Sequence, residues 1–140
     1  MQQNYPGLRK VSVVVPIYNE IEIIRAFHEE LFFCLRSSLS HSFEIIYVDD
    51  NSTEWTNEYL SEQVKNTSEV LLMRKAGLRG KAYSLLRGFE KASGDIFVMI
   101  DGDLQYPPSE IPAMVQALSR ADVVVVDRRY EKLSILRKVI

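Results

Sequence analysis

Apolar residues fall along this chain in two alternating rhythms. Short, mostly apolar runs at 11–17 (VSVVVPI), 43–48, 69–73, 96–100 and 122–126 carry the β-branched and aromatic residues of buried strands, and 96–100 (IFVMI), unbroken, reads as buried on both faces. Between them lie stretches whose apolar positions recur every three or four residues, the mark of a helix with one buried stripe. The first stripe is Ile21, Ile24, Phe27, Leu31 and Leu35, with Asn19 as helix cap and Glu22 in the reciprocal capping position. A weaker helix over about 54–65 has Trp55, Tyr59 and Val64 as its inner face. A third, over 81–92, has Ala82, Leu85, Leu86 and Phe89, and Gly94 stops it. A fourth, capped by Ser109 with Pro112 in its first turn, turns Ile111, Met114, Val115 and Leu118 inward.

Five alternations of strand and helix predict an α/β fold, a mostly parallel sheet flanked by helices on both faces. The fold occupies 11–127. Residues 1–10, which contain Pro6-Gly7, read as a flexible lead-in. Residues 128–140 form a basic segment with Tyr130, Leu133, Leu136 and Ile140 at helical spacing, either a partly packed helix or a basic element facing anionic phosphate.

In a parallel sheet the strand ends share one edge, and ligands of open α/β sheets bind there. Three of these ends are acidic. The first strand runs into Tyr18-Asn19-Glu20, after a Pro16 that cannot donate to a ladder, and the second into Asp49-Asp50. The fourth reads I-F-V-M-I-D-G-D-L-Q-Y-P-P, so Asp101 and Asp103 flank a glycine that lets the chain turn, with Gln105 two positions on. Oxygen ligands gathered at a strand end suit a hard divalent cation, Mg²⁺ or Mn²⁺, to which a diphosphate adds ligands. Turn and capping chemistry is the plain alternative for these aspartates. In the Asp-Asp-Asn-Ser turn one of the pair is structural and the other is free to accept from a nucleobase N–H.

Composition narrows the field. The chain has 140 residues, 46% hydrophobic and 26% charged, with a formal charge of −2, so a single core is expected and generic nucleic-acid binding is disfavoured. The one cysteine, Cys34, lies in an apolar segment, reads as an inert core thiol and fits a reducing, cytoplasmic compartment. No apolar run approaches the roughly 20 residues of a membrane span. His28 and His41 lack metal-ligand or triad spacing, and no nucleophile elbow is present. Arg79 and Lys81, beside Gly77 and Gly80, are placed either to meet phosphates or to sit on a solvated loop. The segment is not a P-loop. A phosphorylation-dependent receiver is excluded because Asn19-Glu20 follows the first strand and Asp127-Arg128 the fifth, where that switch needs an acidic pair and a lysine.

With these residues laid out, the chain resembles the nucleotide-sugar-binding part of family 2 glycosyltransferases of the GT-A fold, a Rossmann-like half. It looks most like the dolichyl- and polyprenyl-phosphate sugar transferases. The segments VSVVVPIYNE, EIIYVDDNST, GLRGKAYSLLRGFEKASGD and DGDLQYPPSEIP carry the likeness in order over about 11–126. The resemblance implies a metal triplet of Asp101, Asp103 and Gln105, and nucleotide-lining positions Pro16, Tyr18, Glu20, Val48 and Asp50. It implies phosphate-contacting arginines at Arg129 and Arg137, which with Asp103 are the expected catalytic set. It also implies an inverting transfer from a UDP- or GDP-linked sugar to a polyprenyl (dolichyl or undecaprenyl) phosphate at the cytoplasmic face of a membrane, with an acceptor region beyond 140. The alternatives are a saccharide or protein acceptor, or a nucleotide-binding module without turnover. The sequence departs from the family pattern at Tyr106, where histidine is usual, and at VVDRR, where G-S-R is common.

Overall fold

The computed structural model describes residues 10–52, 56–126 and 136–139. Strand β1 (Lys10–Ile17) leads into helix α1 (Ile21–Ser38), followed by β2 (Ser42–Asp49), α2 (Thr56–Asn66), β3 (Val70–Arg74), α3 (Lys81–Lys91) and β4 (Ile96–Met99). A 3₁₀ turn (Pro108–Glu110) then enters α4 (Ile111–Ala117), and β5 (Val123–Val126) and β6 (Leu136–Val139) follow. The first four strands form one parallel sheet in the order β3-β2-β1-β4.

Period-two alternation sorts the central strands between two cores. Odd-numbered residues of β1 and β2 (Val11, Val13, Val15, Ile17, Ile45, Tyr47) face α1, where Ile24, Phe27, Leu31 and Leu35 complete the larger core with Leu60 of α2 and Ile111 of α4. Even-numbered Val14, Ile46 and Val48 face α3 and make a smaller one with Leu85 and Phe89. Burying a Leu or Ile fully stabilises the fold by roughly 1.5–3 kcal/mol each, so the α1 face anchors the sheet.

Several expectations need correction. The fifth strand forms but leaves the parallel sheet, pairing antiparallel with β6 (Val125 opposite Arg137). An all-valine run carries no inside–outside alternation, so it does not specify its partner. The helical spacing read across 128–140 gives way, at Leu136–Val139, to that pairing; residues 127–135 lie outside the described set. Strand β4 is buried on one face only: Ile96 and Val98 point inward while Phe97 and Met99 are exposed, because β4 is an edge of the sheet and α3, seated over β1 and β2, meets it through the Phe89–Phe97 ring contact.

Helix α1 starts after Glu20, not at Asn19, which takes a left-handed φ of 50° as its N–H donates to Ser52 Oγ at 2.8 Å. Ile21 is exposed. Ser109 is not a cap but lies inside the 3₁₀ turn. In α2 the anchor is Leu60, fully buried, while Val64 is exposed and Trp55 lies outside the described residues. In α3 Ala82 and Leu86 are exposed and Ser84 and Gly88 are buried instead. The cause is close approach: a Cβ on Gly88 would collide with Val14 Cγ1 and crowd Val48 Cγ2 at 3.1 Å, so small residues meet the sheet and larger ones flank it. Gly94 is also a close-approach glycine, its N–H donating to Ser12 Oγ at 2.9 Å.

Candidate functional site

Pro16 shapes the opening of the site. Its missing N–H falls on the β4 side, where pairing ends at Val14 opposite Met99, while the β2 side continues to Ile17 opposite Asp49. The β1–β4 ladder therefore stops short of the Asp-Gly-Asp turn, which still lies against β1: a Cβ on Gly102 would be 3.4 Å from the Val15 and Ile17 side chains.

Of the Asp49-Asp50 pair, Asp49 is the structural member. It is fully buried, and its Oδ1 accepts from the Ser52 N–H at 3.1 Å and Ser52 Oγ at 2.5 Å, with Arg74 at 3.9 Å from Oδ2. Asp50 reaches the loop before α3: Oδ2 accepts from the Gly80 N–H at 2.8 Å, and Oδ1 pairs with Lys75 Nζ at 3.0 Å. The Gly80 N–H, working against burial and joined by Lys75 and Arg79, holds the Asp50 carboxyl below the usual range. Lys75 is itself only 3% exposed, and its ammonium also donates to the Gly80 carbonyl at 3.1 Å. A buried lysine needs such partners. Sequence reasoning missed Lys75, whose loop has no periodicity to mark it.

Lys81, one residue past Gly80, donates from Nζ to Asp101 Oδ2 at 2.6 Å and also contacts Oδ1. Asp50 and Asp101 thus meet the N-terminus of α3 through adjacent residues, the first in a closed contact and the second in an open one. Asp103 closes its own turn, Oδ1 accepting the Gln105 N–H at 3.0 Å. Between them Leu104 has φ of 60°, a left-handed conformation that costs a bulky residue about 1–2 kcal/mol; its side chain packs on the larger core in partial compensation.

Glu20 completes the acidic edge. Its Oε2 is buried without a hydrogen-bond partner, and a Cβ on Gly102 would lie 3.0 Å from it, so this oxygen is aimed at the Asp-Gly-Asp turn. Burial first, then the charges of Asp103 and Asp101, push its carboxyl up to about 7. Three acids with one neighbouring lysine make a site that a cation would relieve, although among the described residues no three His, Cys, Asp or Glu side chains stand as a ready ligand set. Two carboxylates and a neutral oxygen fit a divalent cation that takes further oxygens from a diphosphate.

The remaining expected residues spread around this edge. Tyr18 is half exposed with the Arg79 guanidinium 5.6 Å from its ring centre. Pro16 and Val48 face each other in register and are buried, forming floor and not wall. Gln105 is exposed beside Asp103. Arg137 lies on β6, and Arg129 lies outside the described residues. An open cavity of about 230 Å³, walled mainly by apolar side chains including Met99, Ile111 and Met114, adjoins Asp101. His28 belongs to the core, its Nδ1 2.7 Å from the Tyr47 hydroxyl, and Cys34 is buried with Sγ donating to the Pro108 carbonyl at 3.4 Å.

The sequence profile of Glycosyl transferase family 2 matches residues 12–138. The chain belongs to this family. It is 37% identical over 124 residues to a dolichol-phosphate mannosyltransferase of Pyrococcus furiosus, covering 88% of this chain and 34% of that one. It is 37% identical over 136 residues to an undecaprenyl-phosphate 4-deoxy-4-formamido-L-arabinose transferase of Pectobacterium atrosepticum, covering 94% and 40%. Among solved structures it is similar to the mannosyltransferase PcManGT of Pyrobaculum calidifontis in complex with GDP-Man and Mn²⁺, with TM-score 0.68, 25% identity and coverage of 85% and 35%. The glucosyl-3-phosphoglycerate synthase of Mycobacterium tuberculosis with Mn²⁺ and UDP gives TM-score 0.61, 26% identity and coverage of 80% and 40%. This glycosyltransferase-family chain therefore has the GT-A arrangement of its sheet and helices, and it spans 34–40% of the length of these relatives. Among the described residues no helix is long and apolar enough to cross a membrane.

Proposed function

We propose that residues 11–127 are the nucleotide-sugar-binding part of an inverting glycosyltransferase that passes a sugar from a UDP- or GDP-linked donor to a polyprenyl phosphate. The observation that carries this reading is the acidic edge, where Glu20, Asp101 and Asp103 converge around a partnerless carboxylate oxygen. Asp101 and Asp103, with Gln105, would hold Mg²⁺ or Mn²⁺, which supplies charge neutralisation for the departing diphosphate. In the transfer, the bond between the anomeric carbon and the diphosphate oxygen breaks as an acceptor oxygen bonds to that carbon from the opposite face. The electron pair leaves with the nucleoside diphosphate.

The chain's own residues do the holding. Asp50, fixed by Lys75 and Gly80, keeps lone pairs for a base N–H, since each carboxylate oxygen accepts more than one bond. Tyr18 offers an exposed ring at the neighbouring tip. Arg129 and Arg137 are the candidates for phosphate contact. A polyprenyl phosphate arrives as an anion and needs no general base, whereas a saccharide or protein hydroxyl does. That, with acceptors named for the relatives, favours the lipid phosphate and a working place at the cytoplasmic face of a membrane.

Calorimetry of GDP and UDP binding with and without Mn²⁺ tests the proposal. One nucleotide is expected to bind at least tenfold tighter with the metal, which also reveals the base preference. Equal affinity with and without Mn²⁺ for both nucleotides would overturn the metal-assisted reading.

A further inference from the structure

We infer that Lys81 is an internal stand-in cation, which neutralises Asp101 while the metal is absent and yields the carboxylate when metal and nucleoside diphosphate arrive. The inference rests on the reading of Asp101 as a metal ligand. Its basis is that the Lys81 ammonium engages both oxygens of Asp101, with Oδ2 at 2.6 Å, and so stands, by charge and by position, where a cation on that carboxylate would stand.

Among the described residues two lysine–aspartate pairs stand at this edge, and they differ in kind. Lys75–Asp50 is shut in, with side chains 2% and 14% exposed. Lys81–Asp101 is open, at 58% and 28%. An open pair is weak and its lysine free to swing, because hydration of both partners offsets most of their attraction. The root of Lys81 is nevertheless fixed: the preceding Gly80 is bonded through its N–H to Asp50 and through its carbonyl to Lys75. Only the four-carbon stem needs to move. Release leaves an ammonium at the N-terminus of α3, where the helix dipole and unpaired amides already favour an anion. A diphosphate arriving with its metal then gains that ammonium as a partner. Metal and nucleotide binding become coupled through one side chain, each strengthening the other by the same factor.

Paramagnetic-resonance titration of the chain with Mn²⁺, alone and with GDP or UDP, tests this in wild type, Lys81→Met, Lys81→Arg and Asp101→Asn. Without nucleotide, Lys81→Met is expected to bind Mn²⁺ about three- to fivefold tighter than wild type, the worth of an exposed ion pair, and Lys81→Arg to behave as wild type. With Mn²⁺ present, Lys81→Met is expected to bind the nucleotide about tenfold more weakly, having lost a charge-assisted contact. Lys81 is exposed, so circular dichroism of all variants should match, and Lys81→Arg guards against a merely structural effect. Equal Mn²⁺ affinity in wild type and Lys81→Met, with Asp101→Asn unable to bind, overturns the exchange and leaves Asp101 a metal ligand. Unchanged nucleotide affinity in Lys81→Met overturns the hand-over. Absence of Mn²⁺ binding in every variant, with or without nucleotide, overturns both this inference and the metal reading beneath it.

Discussion

At the N-terminal end of the parallel sheet Glu44 is 5% exposed, and each of its oxygens is matched. Oε1 accepts from Ser12 Oγ at 2.6 Å and the Ser93 N–H at 2.7 Å, and Oε2 accepts from Lys10 Nζ at 2.8 Å. At the C-terminal end Glu20 has a buried oxygen with no partner and two aspartates for neighbours. Burial acts on both. At Glu44 its upward push is outweighed by bonds from Lys10, Ser12 and Ser93, so the carboxyl falls below its ordinary range. At Glu20 nothing outweighs it, and the carboxyl rises to about 7. A carboxylate that joins elements is saturated with donors; the one at the acidic edge is left short of them, as the proposed function requires of it.

The contrast is broken most severely at the open end. Asp103→Ala should weaken Mn²⁺-dependent nucleotide binding on the order of 100-fold, at least the loss seen when a metal site's supporting residues are removed, with little change in melting temperature. Calorimetry and a thermal melt check both halves, and intact Mn²⁺ dependence in the variant would contradict the assignment. At the closed end Glu44→Ala should do the reverse. It strands donors from Ser12, Ser93 and Lys10, costing about 2–4 kcal/mol in urea unfolding, with nucleotide affinity unchanged while the chain stays folded.

The pH dependence of stability sharpens the comparison, because two groups pull in opposite directions. His28, lowered by burial to about 4, binds its proton more readily when unfolded, so stability falls as pH drops from 6.5 to 4. Its full contribution is about 3 kcal/mol. Glu20 behaves oppositely: its folded carboxyl is raised, so its contribution is present below about 4.5 and lost as pH rises through about 7. Denaturant unfolding in metal-free buffer should therefore show a flattened profile between pH 4.5 and 6.5. Glu20→Gln should steepen it toward the His28 slope, and should stabilise the chain by about 1–2 kcal/mol at pH 8 once partial exposure is discounted. A profile identical to wild type would show that Glu20 is not under charge pressure.

Much of this molecule is written in local pattern. Four of the strands, the helices between them and the acidic tips at Glu20, Asp50, Asp101 and Asp103 follow from runs, stripes and the order of elements. What escaped reading depends on distances between elements. Nothing near Lys75 announces that its ammonium will be buried against Asp50. On α3 the expected stripe holds at Leu85 and Phe89 and fails at Ala82 and Leu86, because periodicity counts large apolar residues and the fully buried positions here are Ser84 and Gly88. Strand β4 reads as buried on both sides because the run 96–100 cannot say that it borders the sheet. The Asp-Asp-Asn-Ser turn says that one of Asp49 and Asp50 is structural, but only the Ser52 contacts say that it is Asp49.

The tight seat of Gly88 against Val14 reaches beyond local packing. Lys81 precedes Gly88 by seven positions, two helical turns or about 10 Å along α3, and so leaves the helix on nearly the same side. Any side chain at 88 would act as a wedge between α3 and the sheet, loading the Gly80 bonds that seat the far end of the helix and its ammonium beside Asp101. One absent methyl thus calibrates a charge two turns distant, and drift at that position would retune the acidic edge without altering any residue in it.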